Sequence, residues 1–208
     1  MLQLSTIEPA TLDLLKKLMS ISELKNFYLV GGTNLSLRYG HRISVDLDLF
    51  STNNFDKEEI IKVLKKNFSG FNYKRDTSTI GIFCFIDGIK VDLVKHHYYK
   101  IIDRIINEDG IRMLNDKDII AMKIFAILRR GQKKDFWDLA ELLKKYSVNE
   151  MLSFYKEKYP DNMVLISIPY AITYFEDAEN SEDPICLKGQ SWEQIKKFLQ
   201  LKVREFLS

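Results

Sequence analysis

The amino-acid sequence predicts an α+β fold, in which a small mixed sheet with helices is followed by a half that contains only helices. Strand patterns occur up to about residue 100, whereas apolar residues at helical spacing dominate after about residue 103. The chain has 208 residues, of which 46% are hydrophobic, so it can bury the core of one large domain or of two small ones. We therefore expect an α/β domain over residues 1–110 and a helical domain over residues 111–208.

The first helix is predicted to begin at Pro9, because proline is favoured in the first turn of a helix and leucines follow it at helical spacing. The stretch from Phe27 to Ser51 predicts an apolar strand, a Gly-Gly turn, a short helix over Thr33–Tyr39 and a second strand with Asp46 and Asp48. The functional prediction starts from this stretch.

The rest of the N-terminal half predicts one helix and three strands. Asp56, three residues before a glutamate, marks the start of a helix that ends near Asn67. The last strand carries Asp92 between valine and leucine, where a carboxylate is unfavourable unless it faces a cation. The strands are predicted over Phe71–Arg75, Thr79–Ile86 and Ile89–Val94, with a tight Asp-Gly turn between the last two.

The C-terminal half is predicted to contain five helices with apolar residues at helical spacing. Asn115 caps the first of them, and Ser191 with Gln194 forms a capping box at the start of the last. The five helices are predicted over Asp116–Arg130, Lys134–Tyr146, Asn149–Tyr159, Met163–Phe175 and from Ser191 onward.

Asp46 and Asp48 project from one face of the second strand, because side chains two residues apart in a strand point the same way. Their repulsion among apolar neighbours requires a counter-charge, for which a divalent cation is suited. If the strand with Asp92 is a neighbour in the same sheet, the three aspartates form a site for Mg²⁺, with Mn²⁺ as a second candidate. The alternative for Asp92 is an exposed strand edge.

Gly31, Gly32 and Thr33 are candidate phosphate-binding residues, since a glycine turn exposes backbone amides at the start of a helix. A Gly-Gly turn also occurs where the chain merely reverses direction. Ser44 has the parity of the two aspartates, so its hydroxyl is expected to face the same site. Arg42, beside the turn, is expected to be solvated, with an approach to a triphosphate as the alternative. A phosphate site next to a metal site suggests chemistry on a nucleoside triphosphate (NTP).

Lys123 and Arg130 lie seven residues, or about two turns, apart on one predicted helix face, with the small Ala126 between them. They are candidates for pairing with phosphates, and the alternative is a solvated helix surface. Asp135 and Asp138 follow three residues apart and could position the two cations, or one of them could act as a base. A structural role is expected for Asp138.

Composition narrows the class of protein. The net charge is only +2, so any basic surface is local; one candidate nucleic-acid contact is the run from Met122 to Lys134, with five basic and no acidic residues. Cys84 and Cys186 form no close pair, and we expect reduced thiols in a cytoplasmic protein. The sequence shows no secretion signal, no 18-residue apolar run and no GxxxxGK[ST] motif, so neither a membrane partner nor a P-loop ATPase is expected.

Thirteen residues separate the Gly-Gly pair from Asp-Leu-Asp, an arrangement that resembles the signature of the DNA polymerase beta nucleotidyltransferase superfamily. Three longer segments, GGTNLSLRYGHRISVDLDLF, AMKIFAILRRGQKKDFWDL and ITYFEDAE, resemble the AbiEii/AbiGii-type nucleotidyltransferase toxins. The similarity extends from about residue 27 to residue 180. It implies a polymerase-beta-like nucleotidyltransferase domain followed by a helical bundle, with the active site in the cleft between them.

The same resemblance implies Mg²⁺-dependent transfer of a nucleotide from an NTP, in some relatives onto the acceptor end of tRNA. It also implies a toxin that pairs with a cognate antitoxin and acts in abortive infection or growth arrest. Carried over by position, the glycine turn of the family matches Gly31, Gly32 and Thr33, its metal ligands match Asp46 and Asp48, and its third carboxylate matches Asp92. The catalytic-site lysine matches Lys123, the accompanying arginine Arg130 and the following aspartate Asp135.

Two other functions stay open from the sequence. The same site could modify a hydroxyl of a protein or small molecule, or the chain could be a non-catalytic module that binds a partner or nucleic acid. The retained set of Asp46, Asp48 and Lys123 argues against the non-catalytic module. The resemblance favours a nucleotidyltransferase that modifies RNA.

Overall fold

The computed structural model describes residues 1–74, 80–96, 100–162 and 166–208. These residues form a mixed α/β structure with one seven-stranded sheet. The strands are Tyr28–Leu29 (β1), Leu47–Ser51 (β2), Phe71–Asn72 (β3), Gly81–Ile86 (β4), Ile89–Lys95 (β5), Ile106–Glu108 (β6) and Ile111–Met113 (β7). The α-helices are Pro9–Ser20 (α1), Gly31–Tyr39 (α2), Lys57–Asn67 (α3), Asp116–Arg129 (α4), Lys133–Leu142 (α5), Val148–Lys158 (α6), Ile168–Ala171 (α7), Glu176–Glu179 (α8) and Trp192–Leu207 (α9).

The sheet has the strand order β3-β4-β5-β2-β1-β7-β6. Strand β2 pairs in parallel with β5, and β1 pairs in parallel with β7, whereas the other neighbours are antiparallel. Strand β2 therefore lies at the centre of the sheet, between β5 and β1.

Two hydrophobic cores lie on either side of the central strand. Leu47 and Leu49 of β2 belong to a core that helices α1 and α3 cover. Phe50, on the other face of β2, packs against a second core, which is built mainly by α4, α5, α6 and α9. The alternation follows from the strand geometry, in which successive side chains point to opposite faces. Asp48 consequently points toward the helices of the C-terminal half.

Local signals in the sequence placed several helix starts correctly. The Asp56 carboxylate accepts hydrogen bonds from the amides of Glu58 and Glu59 at the start of α3. Asn115 caps α4 in the same way. The predicted capping box of Ser191 and Gln194 is present at the start of α9. These predictions are confirmed, because each side chain acts on amides within the same helical turn.

The sequence suggested that the strands end near residue 103, but two further strands follow it in the structure. Strands β6 and β7 form an antiparallel hairpin that joins the edge of the sheet next to β1. Asp109 and Gly110 make its turn with φ of 52° and 76°. The Asp-Gly signal is the same one that correctly predicted the turn between β4 and β5. The domain division at residue 110 stays a prediction, and β7 lies beyond it within the sheet.

The predicted helix over Met163–Phe175 is also different in the structure. Residues 163–165 lie outside the described part, and the short helices α7 and α8 follow. Pro169 has no amide hydrogen and fits only into the first turn of a helix, so α7 begins at Ile168. For the strands predicted over Phe71–Arg75 and Thr79–Ile86, Arg75 and Thr79 lie outside the described residues, and the described strands are shorter.

The two cysteines and the membrane prediction can be compared with the structure directly. Cys84 is buried and Cys186 is half-buried, and both are free thiols. Burial raises the pKa of the Cys84 thiol to about 12. Within the described ranges, no helix combines the length and the apolar character needed to cross a membrane.

Candidate active site

A cleft of about 820 Å³ opens between the central strand and helix α4. Eight of the ten predicted site residues line it, whereas Thr33 and Asp92 do not. The eight come from α2, from β2 and the segment that leads into it, and from the region of α4 and α5. They are Gly31, Gly32, Ser44, Asp46, Asp48, Lys123, Arg130 and Asp135.

The strands that carry Asp48 and Asp92 are neighbours, and the two residues are register partners in the parallel β2–β5 pair. This adjacency is the condition that the sequence could not settle for the third carboxylate. Burial, and then the charge of Asp92, raise the pKa of the Asp48 carboxyl. Asp46 lies one residue before β2 and lines the same cleft. Asp48 and Asp92 are thus held side by side on neighbouring strands, and Asp46 lies two residues before Asp48 in the cleft.

Asp92 has an ion pair that the sequence analysis did not anticipate. Its Oδ2 atom lies 2.6 Å from the Nζ atom of Lys90, two residues earlier in β5. Its Oδ1 atom is buried and has no hydrogen-bond partner among the described residues. Burial lowers the pKa of Lys90, but the hydrogen bond to Asp92 and the charges of Asp92, Asp48 and Asp46 outweigh it and raise this pKa.

The aspartates fit a divalent cation in part. A carboxylate oxygen without a partner and a neighbouring carboxylate with a raised pKa are both groups that a cation would stabilise. Among the described residues, however, no three His, Cys, Asp or Glu side chains converge into a ready-made metal-binding group. The donor set therefore suits a cation that takes few protein ligands and completes its shell with other oxygens, as Mg²⁺ does.

The glycine turn is packed tightly against the site. Gly31 has φ of 70°, and a Cβ atom there would collide with the Asp48 carboxylate. A Cβ atom at Gly32 would collide with the guanidinium of Arg42. The Thr33 side chain is buried: its hydroxyl lies 2.8 Å from the Ser44 hydroxyl and hydrogen-bonds the carbonyl of Asp46. Thr33 thus holds the segment before β2 in place, whereas the sequence predicted that its hydroxyl meets phosphate.

Lys123 reaches the cleft from α4 and is held by two carboxylates of α5. Its Nζ atom lies 2.9 Å from Asp135 Oδ1 and 2.6 Å from Asp138 Oδ2. Burial lowers the pKa of Lys123, but Asp135 and Asp138 outweigh it, and the net shift is upward. The ammonium also lowers the pKa of Asp48, although less than burial raises it. Lys123 is therefore a charged group that acts on the carboxylates across the cleft.

Asp138 is fully buried and connects the two halves of the molecule. Arg42 donates to both of its oxygens, from Nε at 2.7 Å and from Nη2 at 2.9 Å, and His41 Nε2 lies 2.7 Å from Oδ1. Burial raises the pKa of Asp138, but Arg42 and Lys123 hold it well below its usual range. The expected structural role of Asp138 agrees with this geometry. The expectation of a solvated Arg42 is wrong, because its guanidinium is buried against Asp138.

The sequence predicted that Arg130 and Lys123 share one face of a helix, but in the structure they do not. Helix α4 ends at Arg129, and Arg130 has φ of −143° and ψ of −23°. The following Gly131 has a positive φ, which a continuing helix does not accommodate. Arg130 is exposed and makes no ion pair with Asp135 or Asp138. It nevertheless lines the cleft, together with Gln132 and Lys134.

One wall of the cleft is formed by a segment to which the sequence analysis assigned no role. Residues 180–185 line it, just before the start of α9. The backbone of this segment is tied to the segment before β2, since the Ile43 amide donates to the Ile185 carbonyl and the Leu187 amide donates to the His41 carbonyl, both at 2.9 Å. No local signal in the sequence indicates this long-range pairing.

Part of the cleft lining is aromatic, which the sequence analysis also missed. The rings of Phe125 and Tyr159 are stacked with centroids 4.9 Å apart. Phe50 and His96 contact each other with centroids 5.4 Å apart. All four residues line the cleft. The lining thus combines charged side chains, Asp48 and Lys123 among them, with a group of aromatic rings.

Comparison with known proteins places this arrangement in context. A family model described as "Nucleotidyl transferase AbiEii toxin, Type IV TA system" matches residues 13–202. The protein aq_aa25 of Aquifex aeolicus is 36% identical over 201 residues, which cover 94% of this chain and 95% of the relative.

Solved structures show the same fold at low sequence identity. JHP933 from Helicobacter pylori aligns with a TM-score of 0.59 and 18% identity, over 96% of this chain and 92% of that one. MenT4, a nucleotidyltransferase toxin from Mycobacterium tuberculosis, aligns with a TM-score of 0.52 and 14% identity, over 92% of this chain and 82% of that one. These similarities support a nucleotidyltransferase-like mixed α/β fold.

Proposed function

Since this chain belongs to the AbiEii family of nucleotidyl transferase toxins, and is thus a nucleotidyltransferase, we propose that it transfers a nucleotide from an NTP to RNA in a Mg²⁺-dependent reaction. One observation carries this proposal: Asp48 and Asp92 are register partners on adjacent strands, and Lys123 faces the same cleft. Family membership implies a nucleotide substrate and a cognate antitoxin.

Asp48, Asp46 and Asp92 would hold the divalent cation, Mg²⁺ or Mn²⁺. The cation would supply charge neutralisation of the triphosphate and help to activate the attacking oxygen. In the transfer, an acceptor hydroxyl oxygen bonds to the α-phosphorus, and the bond from this phosphorus to the bridging oxygen of the β-phosphate breaks. Pyrophosphate leaves, and the hydroxyl proton is released.

Residues around the cation would hold the triphosphate. The amides of Gly31 and Gly32 begin α2, where the helix dipole favours anions, and Ser44 adds a hydroxyl next to Asp46. Lys123 keeps its charge because Asp135 and Asp138 hold it, so it offers a positioned ammonium. Arg130 has no ion pair among the described residues and is available for a phosphate. The aromatic side chains in the lining, Phe50 and Phe125 among them, would take the nucleobase.

The charge at the mouth of the cleft supports RNA as the acceptor. Arg130 and Lys134 line the cleft and Arg129 is exposed next to Arg130, so a polyanion would find three positive charges near the NTP site. Lys133 is tied to Asp183 at 2.7 Å. We propose the tRNA acceptor end as the specific target, and the helical half as the domain that completes the cleft.

The proposal is tested by incubating the protein with Mg²⁺, labelled NTPs and total RNA. The wild type is expected to label RNA, whereas Asp48→Asn and Lys123→Met lower the rate by at least about 10²-fold, because each removes charge that acts on the transition state. Asp109→Asn, at a hairpin turn, and Lys117→Met, at the start of α4 in an exposed ion pair, are the matched controls. Labelling that survives in Asp48→Asn contradicts the proposed site.

The acceptor is tested separately by replacing total RNA with a protein lysate in the same assay. Label in the RNA fraction, lost after ribonuclease treatment, supports RNA. Label that appears only in protein contradicts the RNA acceptor but leaves the transferase site in place. Mass spectrometry of tRNA incubated with all four NTPs would then identify the added nucleotide and its position.

A further inference from the structure

Lys90 occupies a position in the site that no motif assigns to it. It lies two residues before Asp92 in β5, so both side chains project from the same face of the sheet. Its Nζ atom is 2.6 Å from Asp92 Oδ2. The charges of Asp46 and Asp48 also act on this ammonium. Lys90 thus places a positive charge among the three aspartates that the proposed function assigns to a divalent cation.

The two cations next to these carboxylates are held very differently. Lys123 is buried and bound by Asp135 and Asp138, so it has little freedom to move. Lys90 has one carboxylate partner among the described residues, and its side chain is 43% exposed. A lysine ammonium sits on a flexible four-carbon stem, and a pair exposed to this degree is weak. Lys90 can therefore leave Asp92 without disrupting the packed core.

The contacts of the two Asp92 oxygens show why the release of Lys90 matters for metal binding. One of its oxygens is occupied by Lys90, and the other is buried without a hydrogen-bond partner among the described residues. Coordination of a dication by Asp92 and binding of Lys90 to the same carboxylate compete, because two cations at one carboxylate repel each other.

We propose that Lys90 is a displaceable internal counter-ion of the carboxylate site, which holds Asp92 until a divalent cation takes its place. This role rests on the metal site of the proposed function. It follows that the protein binds a bare divalent cation weakly. After release, the Lys90 ammonium is free to meet an anion that arrives with the cation, such as a triphosphate.

The test is a calorimetric titration of the full chain with Mn²⁺ alone, without nucleotide. Lys90→Met keeps the length of the side chain and removes the charge, and it is expected to bind Mn²⁺ about 3- to 10-fold more tightly than the wild type. Lys90→Arg keeps the charge and is expected to stay near the wild-type affinity. Lys95→Met is the matched control, since Lys95 lies in the same strand, about 17 Å further along and on its other face.

The outcomes separate the role of Lys90 from the metal site itself. If the wild type binds Mn²⁺ in a way that Asp48→Asn abolishes, but Lys90→Met binds equally or more weakly, Lys90 is not a competing counter-ion and the metal site stands. If no variant binds Mn²⁺ through Asp48, both the metal site and the role of Lys90 are wrong. A gain in affinity that Lys95→Met reproduces would also overturn the proposal, because it would reflect net charge alone.

Discussion

Two clusters of charged side chains border the cleft, and they differ in how completely their charges are paired. On the helical side, both oxygens of Asp138 are hydrogen-bonded, and Arg42 and Lys123 neutralise it. On the sheet side, Asp48 lies beside Asp92, and one Asp92 oxygen has no hydrogen-bond partner among the described residues. The charges of the first cluster are paired within the chain, whereas in the second Lys90 pairs with Asp92 and Asp48 has no ion pair among the described residues.

The difference separates structural support from the reacting centre. Buried charges are tolerated only when they are paired and hydrogen-bonded, so the Asp138 cluster holds Arg42 and Lys123 in fixed positions. The aspartates of the sheet stay in an unfavourable arrangement that a bound cation would relieve. Proteins commonly keep such unfavourable arrangements at functional sites and compensate for them elsewhere in the fold.

The largest effect on stability is expected for Asp138→Asn. The change leaves the buried Arg42 guanidinium without its carboxylate, and breaking a buried ion pair on one side costs about 3–5 kcal/mol. Urea denaturation at neutral pH measures the free energy of unfolding. Asp183→Asn, which removes the partner of Lys133 at an exposed site, is the control and is expected to change stability by less than about 1 kcal/mol. A loss as small for Asp138→Asn as for the control would show that the cluster is not structural.

A smaller loss is expected for Gly32→Ala, because the new Cβ atom would push the Arg42 guanidinium away from Asp138. Overpacking of this kind costs about 1–3 kcal/mol. The same substitution in the Asp138→Asn background should cost less, since the ion pair is already broken there. Losses that add within about 0.5 kcal/mol in the double variant would argue that Gly32 and Asp138 are independent.

For Asp48→Asn in buffer without divalent cations, we expect no loss of stability, in contrast to the two substitutions above. The substitution removes one of two adjacent carboxylates, so stability should stay unchanged or rise by about 0.5–2 kcal/mol while nucleotidyl transfer is lost. Thermal and urea denaturation measure this change, and Asp109→Asn serves as the neutral control. A clear loss of stability would mean that the sheet-side carboxylates are better compensated than their contacts indicate.

The smallest effect is expected in the way the free energy of unfolding changes with pH. The pKa of Asp138 is held well below its ordinary value of 3.8, so its contribution to stability is present above that value and is lost as the pH falls toward the folded-state pKa. The difference in unfolding free energy between the wild type and Asp138→Asn should therefore be smaller at about pH 3 than at about pH 5. A difference that grows between about pH 5 and about pH 3 would contradict the paired state of Asp138.

Sequence patterns predicted the parts of the site that depend on neighbouring residues. The placement of Asp46 and Asp48 in one cleft, the pair of glycines at the start of α2 and the cap at Asn115 all follow from the spacing of residues close together in the chain. The Asp-Gly turn at residues 109–110 carried an equally local signal, so the hairpin of β6 and β7 could have been found from the sequence.

Arg130 shows where a local pattern misleads. Its seven-residue distance from Lys123 predicts one shared helix face, but the helix ends one residue earlier and Gly131 follows with a positive φ. Thr33 is a second example, since its position in the motif suggests phosphate binding, while its hydroxyl contacts Ser44 and the Asp46 carbonyl. Spacing alone does not state which atoms compete for a side chain.

The sequence by itself thus determined most of the elements and the chemical types of the residues: an apolar strand with one aspartate in it and one just before it, a pair of glycines at a helix start, and a helix with a lysine that is followed by an arginine. Only the tertiary structure decided which charges meet. Asp48 lies beside Asp92, and Asp138 joins Arg42 to Lys123, because strand register and helix packing bring distant parts of the chain together. These contacts depend on packing of the whole chain, and no local spacing encodes them.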